Sequence, residues 1–416
     1  MHSGAFVPWV AWTLPFAALL LSIAVFPLAA PRLWESNLRK LAVAGLLAAP
    51  VLVLYARARP EALLHAAEAY VSFIVLLGGL FVISGGILLE GDLEATPRTN
   101  AAFLGLGALL ASFVGTTGAS MLLIRPLLQT NRERKHVAHT VVFFIFLVSN
   151  IGGCLTPLGD PPLFLGYLMG VPFVWTFRLL VPWLVTTSLV LGVYFLWDRR
   201  AHALESRADL RRDFYEVRPL RLAGKANFLL LFGVLVAVAF LREPWREVAI
   251  VSLAAVSLVR TDPGLRRANH FTFHPILEVA ALFAGIFATM LPALDLLRAR
   301  GAELGVREPW QFFWASGALS SFLDNAPTYL TFVALGQGLG LRPDVAGVPE
   351  KILAAISLGS VFMGANTYIG NGPNFMVRSI AEERGVRMPS FGGYMLYSGL
   401  VLVPVFVVVT LVFFRP

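Results

Sequence analysis

Three carboxylates, Asp160, Asp324 and Glu278, lie within long apolar stretches of the sequence. An ionisable side chain inside a membrane costs roughly 2.5 kcal/mol or more, so such residues usually relay protons, bind cations or form structural ion pairs. No Lys or Arg lies in the middle of these stretches, and Arg125 is close to the end of one of them. We therefore predict that Asp160 and Glu278 lack basic partners and that all three carboxylates are candidates for proton coupling.

Small oxygen-bearing side chains cluster near Asp160 and Asp324 in the sequence. Neutral oxygen atoms and carboxylates are the ligands that hard cations prefer. Hydroxyl and amide groups also join membrane helices through hydrogen bonds of about 1 kcal/mol, which is the structural alternative. The predicted ion- or substrate-binding residues are Asp324, Asn325, Thr328, Asp160, Asn150, Thr156, Thr116, Thr117, Asn366, Thr367, Asn371 and Asn374. The predicted ligands of a sodium ion are Asp324, Asn325, Asp160 and Asn150.

Gly and Pro interrupt the apolar segments close to these polar residues. Clusters at 157–162 and 370–373 predict that two membrane helices are broken near their middles. A broken helix exposes backbone groups that a membrane tolerates only where they are buried in protein or bind something. Two further apolar segments, 99–128 and 309–341, are interrupted at their centres by Gly, Thr, Pro, Asp or Asn, and we predict that they form re-entrant hairpins.

The elements that hold these residues must be membrane helices. Of the 416 residues, 57% are hydrophobic and 14% are charged, whereas about 25% are charged in an average soluble domain. The sequence has no Gly-Lys-Ser phosphate loop, no HExxH motif and no Cys/His metal cluster, so we expect neither an enzyme nor a cofactor. The net charge of +8 comes from basic residues between apolar runs, a pattern that sets membrane topology and does not favour nucleic-acid binding.

The hydropathy pattern predicts an all-α, multi-pass membrane protein with about ten spanning helices and the two re-entrant hairpins. The predicted spans are 8–31, 38–56, 69–90, 137–168, 172–197, 225–241, 245–260, 272–293, 350–380 and 391–414. Arginines concentrate in segment 198–224, which we predict to be a cytoplasmic, partly helical linker because positive charge is retained on that side. The N-terminus is then expected outside a bacterial-type cytoplasmic membrane.

The two halves of the chain resemble each other around these motifs. Residues 112–118 align with 321–327, and residues 153–164 align with 364–375, where Gly, Thr, Gly, Pro and Phe coincide. Each half contributes five predicted spans, an odd number, so the second half must be inverted relative to the first, as in many secondary transporters. The predicted organisation is an N-terminal inverted repeat (1–197), the linker (198–224) and a C-terminal inverted repeat (225–416).

Two strings carry a resemblance to a known family: Ser149-Asn-Ile-Gly-Gly-Cys-Leu-Thr-Pro-Leu-Gly-Asp-Pro-Pro162 and Ser320-Ser-Phe-Leu-Asp-Asn-Ala-Pro-Thr328. They resemble the ion transporter superfamily, and in particular its NhaD-like sodium:proton antiporters, which are also labelled citrate-transporter-like. The resemblance implies a homodimer whose hairpins and broken helices move across the membrane in an elevator-type mechanism. The dicarboxylate branch has Ser-Asn-Thr motifs at the tips and breaks, whereas this chain has Gly115-Thr116-Thr117 and Asp324-Asn325-Ala326.

The sequence therefore predicts a secondary active transporter that exchanges sodium for protons, with both ions as transported species. The first alternative is a sodium- or proton-coupled carrier of an anion such as citrate, another dicarboxylate or an inorganic oxyanion. In such a carrier the N-termini of the half-helices would face the anion. The second alternative is a channel or a structural membrane subunit, which would show no obligatory exchange. The lipid bilayer and a small ion or solute are the expected partners.

Overall fold

The computed structural model describes residues 6–30, 34, 36–215 and 217–415, and these residues are mostly helical. Helix is the expected form of long apolar runs, because each backbone polar group is then satisfied within its own segment. The helices are α1 (Leu14–Ala29), α2 (Asn37–Ala58), α3 (Pro60–Ser84), α4 (Pro97–Val114), α5 (Thr116–Thr130), α6 (Ala138–Leu147), α7 (Pro161–Leu168), α8 (Leu180–Ala203), α9 (Arg207–Tyr215), α10 (Ala226–Phe240), α11 (Trp245–Arg260), α12 (Pro263–Ala268), α13 (His274–Thr289), α14 (Leu291–Arg300), α15 (Pro309–Ser320), α16 (Asn325–Gln337), α17 (Glu350–Phe362), α18 (Gly372–Glu383) and α19 (Phe391–Phe413).

Several of these helices are long and apolar enough to cross a membrane, which confirms a multi-pass membrane protein. Among the described residues five segments qualify, or six if the bent pair α13 and α14 forms one span. The five are Val10–Pro27, Asn37–Ala58, Pro60–Ser84, Phe173–Ala203 and Phe391–Phe413. The count of ten spans stays a prediction, as do the inverted orientation of the second half and the side on which the N-terminus lies.

The predicted span 69–90 differs from the structure at both ends. Its helix, α3, begins at Pro60 and ends at Ser84, followed by two glycines, which have low helix propensity. Residues 88–92 instead form strand β1 (Leu88–Asp92), which pairs in antiparallel fashion with strand β2 (Arg218–Ala223). The chain therefore contains a small two-stranded sheet that the all-α prediction missed, and part of the predicted linker is tied to the first half.

The predicted span 272–293 is also interrupted. The helix ends at Thr289, and α14 continues at an angle of 42° to it. Pro292 lies in the first turn of α14, where its missing N–H is tolerated. In the interior of one continuous helix the same proline would remove a backbone hydrogen bond. The end of the first predicted span at 31 and the outer limits of the predicted repeats, at 1–5 and 416, lie outside the described residues.

Two hairpins and two broken helices form the centre of the molecule. In the first hairpin α4 and α5 are separated by Gly115 alone, whose φ of 84° is unfavourable for other residues. In the second hairpin α15 and α16 are separated by residues 321–324. The helices α6 and α7 are the two parts of the first broken helix, and α17 and α18 are the parts of the second, as the Gly-Pro clusters predict.

The two halves of the chain pack against each other in a reciprocal manner. The α7 half-helix of the first half packs on α16 of the second hairpin, and α18 packs on α5 of the first hairpin. A separate group of helices, in which α13 packs on α2 and α11 packs on α3 and α10, lies beside this centre. Helix α3 contacts both α5 and α7, so it forms a wall next to the first hairpin.

Candidate functional site

Each hairpin tip is joined to the broken helix of its own half by the same pair of hydrogen bonds. In the first half, Ser112 Oγ donates to the carbonyl of Gly152, and Thr156 Oγ1 donates to the carbonyl of Ser112. In the second half, Ser321 Oγ lies 3.1 Å from the carbonyl oxygen of Met363 and 2.8 Å from that of Gly317 within its own helix, and Thr367 Oγ1 donates to the carbonyl of Ser321. We name each hairpin tip with its break a tip-and-break unit: residues 112–118 with 150–161, and residues 321–327 with 363–374.

Both breaks contain a glycine that no other residue can replace without movement of the backbone. A Cβ added at Gly159 would lie 2.3 Å from the carbonyl oxygen of Gly153, and one added at Gly370 would lie 2.5 Å from that of Gly364. Real Cβ atoms do not approach an oxygen this closely, so the chain can fold back at the break only with glycine. These glycines are at equivalent positions of the two aligned windows.

Asp160 lies where the two units meet and is almost fully buried. Its Oδ1 accepts a hydrogen bond of 2.8 Å from Thr116 Oγ1 and a longer one of 3.5 Å from Asn371 Nδ2, and its Oδ2 accepts one from Asn325 Nδ2. All three donors are neutral. Among the described residues Asp160 has no ion-pair partner, as the sequence predicts.

Asn325 bridges the units and leaves one polar atom without a partner. Its Nδ2 donates to Asp160, whereas its Oδ1 is buried and has no hydrogen-bond partner among the described residues. A buried, unpaired amide oxygen next to a carboxylate is costly, by about 1–3 kcal/mol, unless something occupies that position. The donor set of Asp160, Asn325 and Thr116 supplies oxygen atoms of the type that a sodium ion binds.

Three further asparagines around the breaks, Asn150, Asn371 and Asn374, form a network across the two halves. Asn150 Nδ2 donates to Asn374 Oδ1 at 2.7 Å, and Asn371 Nδ2 donates to Asn150 Oδ1 at 3.2 Å. Asn374 Nδ2 also binds the backbone carbonyls of Gly364 and Thr367. Asn150 and Asn374 are thus satisfied by protein groups, a structural role that competes with the predicted role of Asn150 as a sodium ligand.

Asp324 lies at the second tip and caps a helix. Its Oδ1 accepts a hydrogen bond of 3.0 Å from Ala326 N at the start of α16, and the side chain is half-buried. Thr328 Oγ1 donates to the backbone carbonyl of Asp324 at 3.0 Å. A capping Asp is a common structural feature. In contrast, Asp160 precedes α7 without a side-chain capping bond, so capping does not explain its presence.

Two predicted residues lie at the edges of the site. Thr117 is half-buried and lines a cavity of about 80 Å³ between the first tip, the first break, α3 and α13. Asn366 Nδ2 donates to Ser321 Oγ at 2.9 Å, and its buried Oδ1 has no partner among the described residues. The structure therefore brings both residues to the tips and breaks, but not into contact with Asp160.

Glu278 differs from the prediction that it lacks a basic partner. Its Oε1 lies 2.6 Å from Nζ of Lys40, an ion pair between α13 and α2. Lys40 is buried although it is only one turn from the start of α2, and the packing of α2 on α13 brings it to Glu278. That prediction was wrong because residues distant in sequence meet at this helix pair. Glu278 belongs to the group of helices beside the site.

Ser112 and Ser321 are site residues that were not among the predicted ones. Each joins a hairpin tip to the break of its own half, and each is fully or almost fully buried. The signal was present in the sequence, since both serines begin the aligned windows 112–118 and 321–327. Their hydroxyls organise the backbone of the tip and do not contact Asp160.

Apolar spanning helices, broken helices and a buried polar centre are together typical of membrane transporters. The chain belongs to the family described as "Putative citrate transport", whose model matches residues 5–414. It is also similar to proteins named "Uncharacterized transporter" from Mycobacterium tuberculosis and Mycobacterium bovis. Each is 26% identical over 339 residues, which cover 75% of this chain and 78% of the relative.

Proposed function

We propose that this protein is a secondary active transporter that exchanges sodium for protons, and that the Asp160 carboxylate binds the two ions in turn. The observation that carries the proposal is the setting of Asp160: it is buried, contacted only by neutral donors, and located between both tip-and-break units. A structural carboxylate at such a depth normally has a basic partner. Asp324, half-buried at the second tip, is the proposed second carboxylate.

The coupling follows from the electrostatics of a single buried carboxylate. A proton or a sodium ion each neutralises Asp160, and the two cannot do so at the same time. The unloaded, charged carboxylate is strongly disfavoured in a low-dielectric environment. The site can therefore cross the membrane interior when it is loaded with a proton or with sodium, because it is then neutral. The empty, charged site crosses much more slowly, and this difference makes exchange obligatory.

The proposed sodium ligands are Asp160, Asn325 and Thr116, together with Asp324 in its protonated form, so that the sodium-loaded site carries no net charge. Asn325 and Thr116 belong to opposite hairpins, and both contact the same carboxylate. A change in the occupancy of Asp160 therefore changes the contacts of both hairpins simultaneously. The proposed movement is the elevator-type displacement that the family resemblance implies, in a homodimer with inverted repeats in each chain.

The alternative is a sodium- or proton-coupled carrier of citrate or a related anion, which the description of the matched family favours. Four helices, α5, α7, α16 and α18, begin at the tips or breaks, and helix N-termini attract anions. A tricarboxylate would also need basic side chains, and none of the residues that hydrogen-bond Asp160 is basic. The antiporter therefore remains the preferred function.

The experiment uses purified protein in liposomes with a trapped pH dye and a preset proton gradient. Sodium, lithium, potassium or citrate is added in separate runs, and the Asp160→Asn and Asp324→Asn variants are measured in parallel. We expect sodium or lithium to dissipate the gradient in the wild type and to have no effect with Asp160→Asn. If citrate alone moves protons, the anion carrier is the correct function. If flux occurs without counterflow exchange, the protein is a channel.

A further inference from the structure

A wide groove lies outside the proposed ion site, at the end of α8 where the predicted linker begins. It has a volume of about 690 Å³ and is formed by the start of α6, the last turns of α8 and one residue of α19. Its lining residues are Lys135, His136, Val137, Ala138, His139, Val193, Leu196, Trp197, Arg200, Ala201, Leu204 and Tyr397. None of the proposed ion ligands contributes to it.

One part of the groove is apolar and continues along a membrane-spanning helix. Val193, Leu196 and Leu204 of this part are exposed although they are large and apolar. Trp197 stacks on Tyr397 of α19 with ring centroids 5.1 Å apart. Trp and Tyr are enriched where the apolar layer of a membrane meets the polar headgroups, so this ring pair indicates that the groove crosses that boundary.

The other part of the groove is basic. Lys135, His136, His139 and Arg200 line it, and no carboxylate among the described residues does. Three of these residues pair with nearby acids: His139 with Asp198, which also binds Arg134, His136 with Glu205, and Lys135 with Asp209 at 3.4 Å. Arg200 is exposed and has no ion-pair partner within the part of the chain that the structure describes.

We propose that this groove binds an anionic phospholipid. Its phosphate lies against Arg200 and Lys135, and the upper part of an acyl chain follows Val193, Leu196 and Leu204. A basic pocket between helices at the headgroup level is the chemistry that recognises an anionic lipid headgroup, and the adjoining apolar wall distinguishes a lipid from a soluble phosphate. Helix α8 packs on α19 and on α4 of the first hairpin. A lipid bound to α8 would therefore lie next to a helix of the hairpin that carries Thr116.

The test is native mass spectrometry of the full-length protein in detergent with equal amounts of phosphatidylglycerol and phosphatidylcholine that have identical acyl chains. We compare the wild type, the Lys135→Gln/Arg200→Gln variant and a matched control, Arg199→Gln. Arg199 is an exposed neighbour on α8 that does not line the groove. Each surface cation contributes about 1 kcal/mol to such binding, so we expect phosphatidylglycerol to bind the double variant about 30-fold more weakly and the control unchanged.

Two further measurements make the outcome decisive. Leu196→Gln should weaken phosphatidylglycerol binding without any change of charge, and soluble glycerol phosphate at the same concentration should not compete. Thermal unfolding with phosphatidylglycerol should show stabilisation of the wild type and the control, and loss of that stabilisation in the double variant. Equal phosphatidylglycerol binding by the double variant and the control, or displacement by glycerol phosphate, would overturn the proposal.

Discussion

The two tip-and-break units share one backbone design and differ in where the carboxylate lies, which is at the break in the first unit and at the tip in the second. Ser112 and Ser321 each join a tip to its break. Thr156 and Thr367 donate to the carbonyls of these serines. Each threonine hydroxyl also accepts a hydrogen bond from the backbone N–H two residues later, that of Leu158 or Ile369. At the position where the first break has Asp160, the second has Asn371, and both side chains lie at the contact between the units. The shared hydrogen bonds form the breaks, and the difference between Asp160 and Asn371 gives the first break its carboxylate.

The tips differ in a second way. Thr116 N donates to the carbonyl of Gly159 at 2.8 Å, so the first tip is fixed to its own break through the backbone. The structure shows no equivalent backbone bond between Asn325 and Gly370, and Asn325 instead reaches Asp160 of the other unit with its side chain. The second tip is therefore held partly through the carboxylate, and its attachment depends on what Asp160 binds.

The largest effect is expected from making the two breaks alike. Asp160→Asn gives both breaks an asparagine and removes the carboxylate of the first break. We expect sodium-dependent proton movement in liposomes to fall to the level of protein-free vesicles. Asp160→Asn/Asn325→Asp, which returns a carboxylate to the same contact, should recover part of the activity. A fully active Asp160→Asn variant would show that the difference between the breaks has no functional meaning.

The next largest effect concerns the shared backbone. Gly159→Ala and Gly370→Ala each place a Cβ against a backbone carbonyl, and we expect each to lower the free energy of unfolding by about 3 kcal/mol. Gly192→Ala in α8 is the control, because nothing lies within 4 Å of an added Cβ there, and alanine favours helix by up to about 1 kcal/mol. Thermal unfolding in detergent compares the three. If only one break glycine is sensitive, the units are not built alike.

A smaller effect is expected from the hydroxyls that join each tip to its break. Thr156→Val and Thr367→Val remove the bonds to the carbonyls of Ser112 and Ser321 and leave Leu158 N and Ile369 N without their acceptor. Each should destabilise the protein by about 1–2 kcal/mol. Chemical denaturation should give similar losses of unfolding free energy for the two variants. Clearly unequal losses would show that the two units are alike in sequence but not in how their hydrogen bonds stabilise the protein.

The smallest effect on transport is expected outside the units. Glu278→Gln breaks the ion pair with Lys40 and should lower thermal stability, and Lys40→Gln/Glu278→Gln should recover part of that loss, since no unpaired charge then remains. Transport per folded molecule should keep its wild-type rate and pH dependence in both variants. A shifted pH dependence in Glu278→Gln would instead assign proton coupling to the helices beside the site.

The features that sequence reasoning reached are those encoded locally. Gly and Pro disfavour a continuous helix through their own backbone properties, so the breaks at 157–162 and 370–373 and a hairpin tip within 112–118 were correctly predicted. The features it missed depend on contacts between distant segments: the ion pair of Glu278 with Lys40, and the pairing of β1 with β2. Asn150 shows the same limit, because its predicted role rested on residue type, and the structure gives it an asparagine partner from the other half of the chain.

If the Asp160 carboxylate holds either a proton or a sodium ion, sodium binding must release protons from the protein. Sodium chloride is added to purified protein in weakly buffered detergent solution that contains a pH indicator, with choline chloride as the control for ionic strength. We expect the wild type to release protons when sodium is added, and Asp160→Asn to release fewer or none. Equal proton release by Asp160→Asn and the wild type would show that Asp160 does not exchange the two ions.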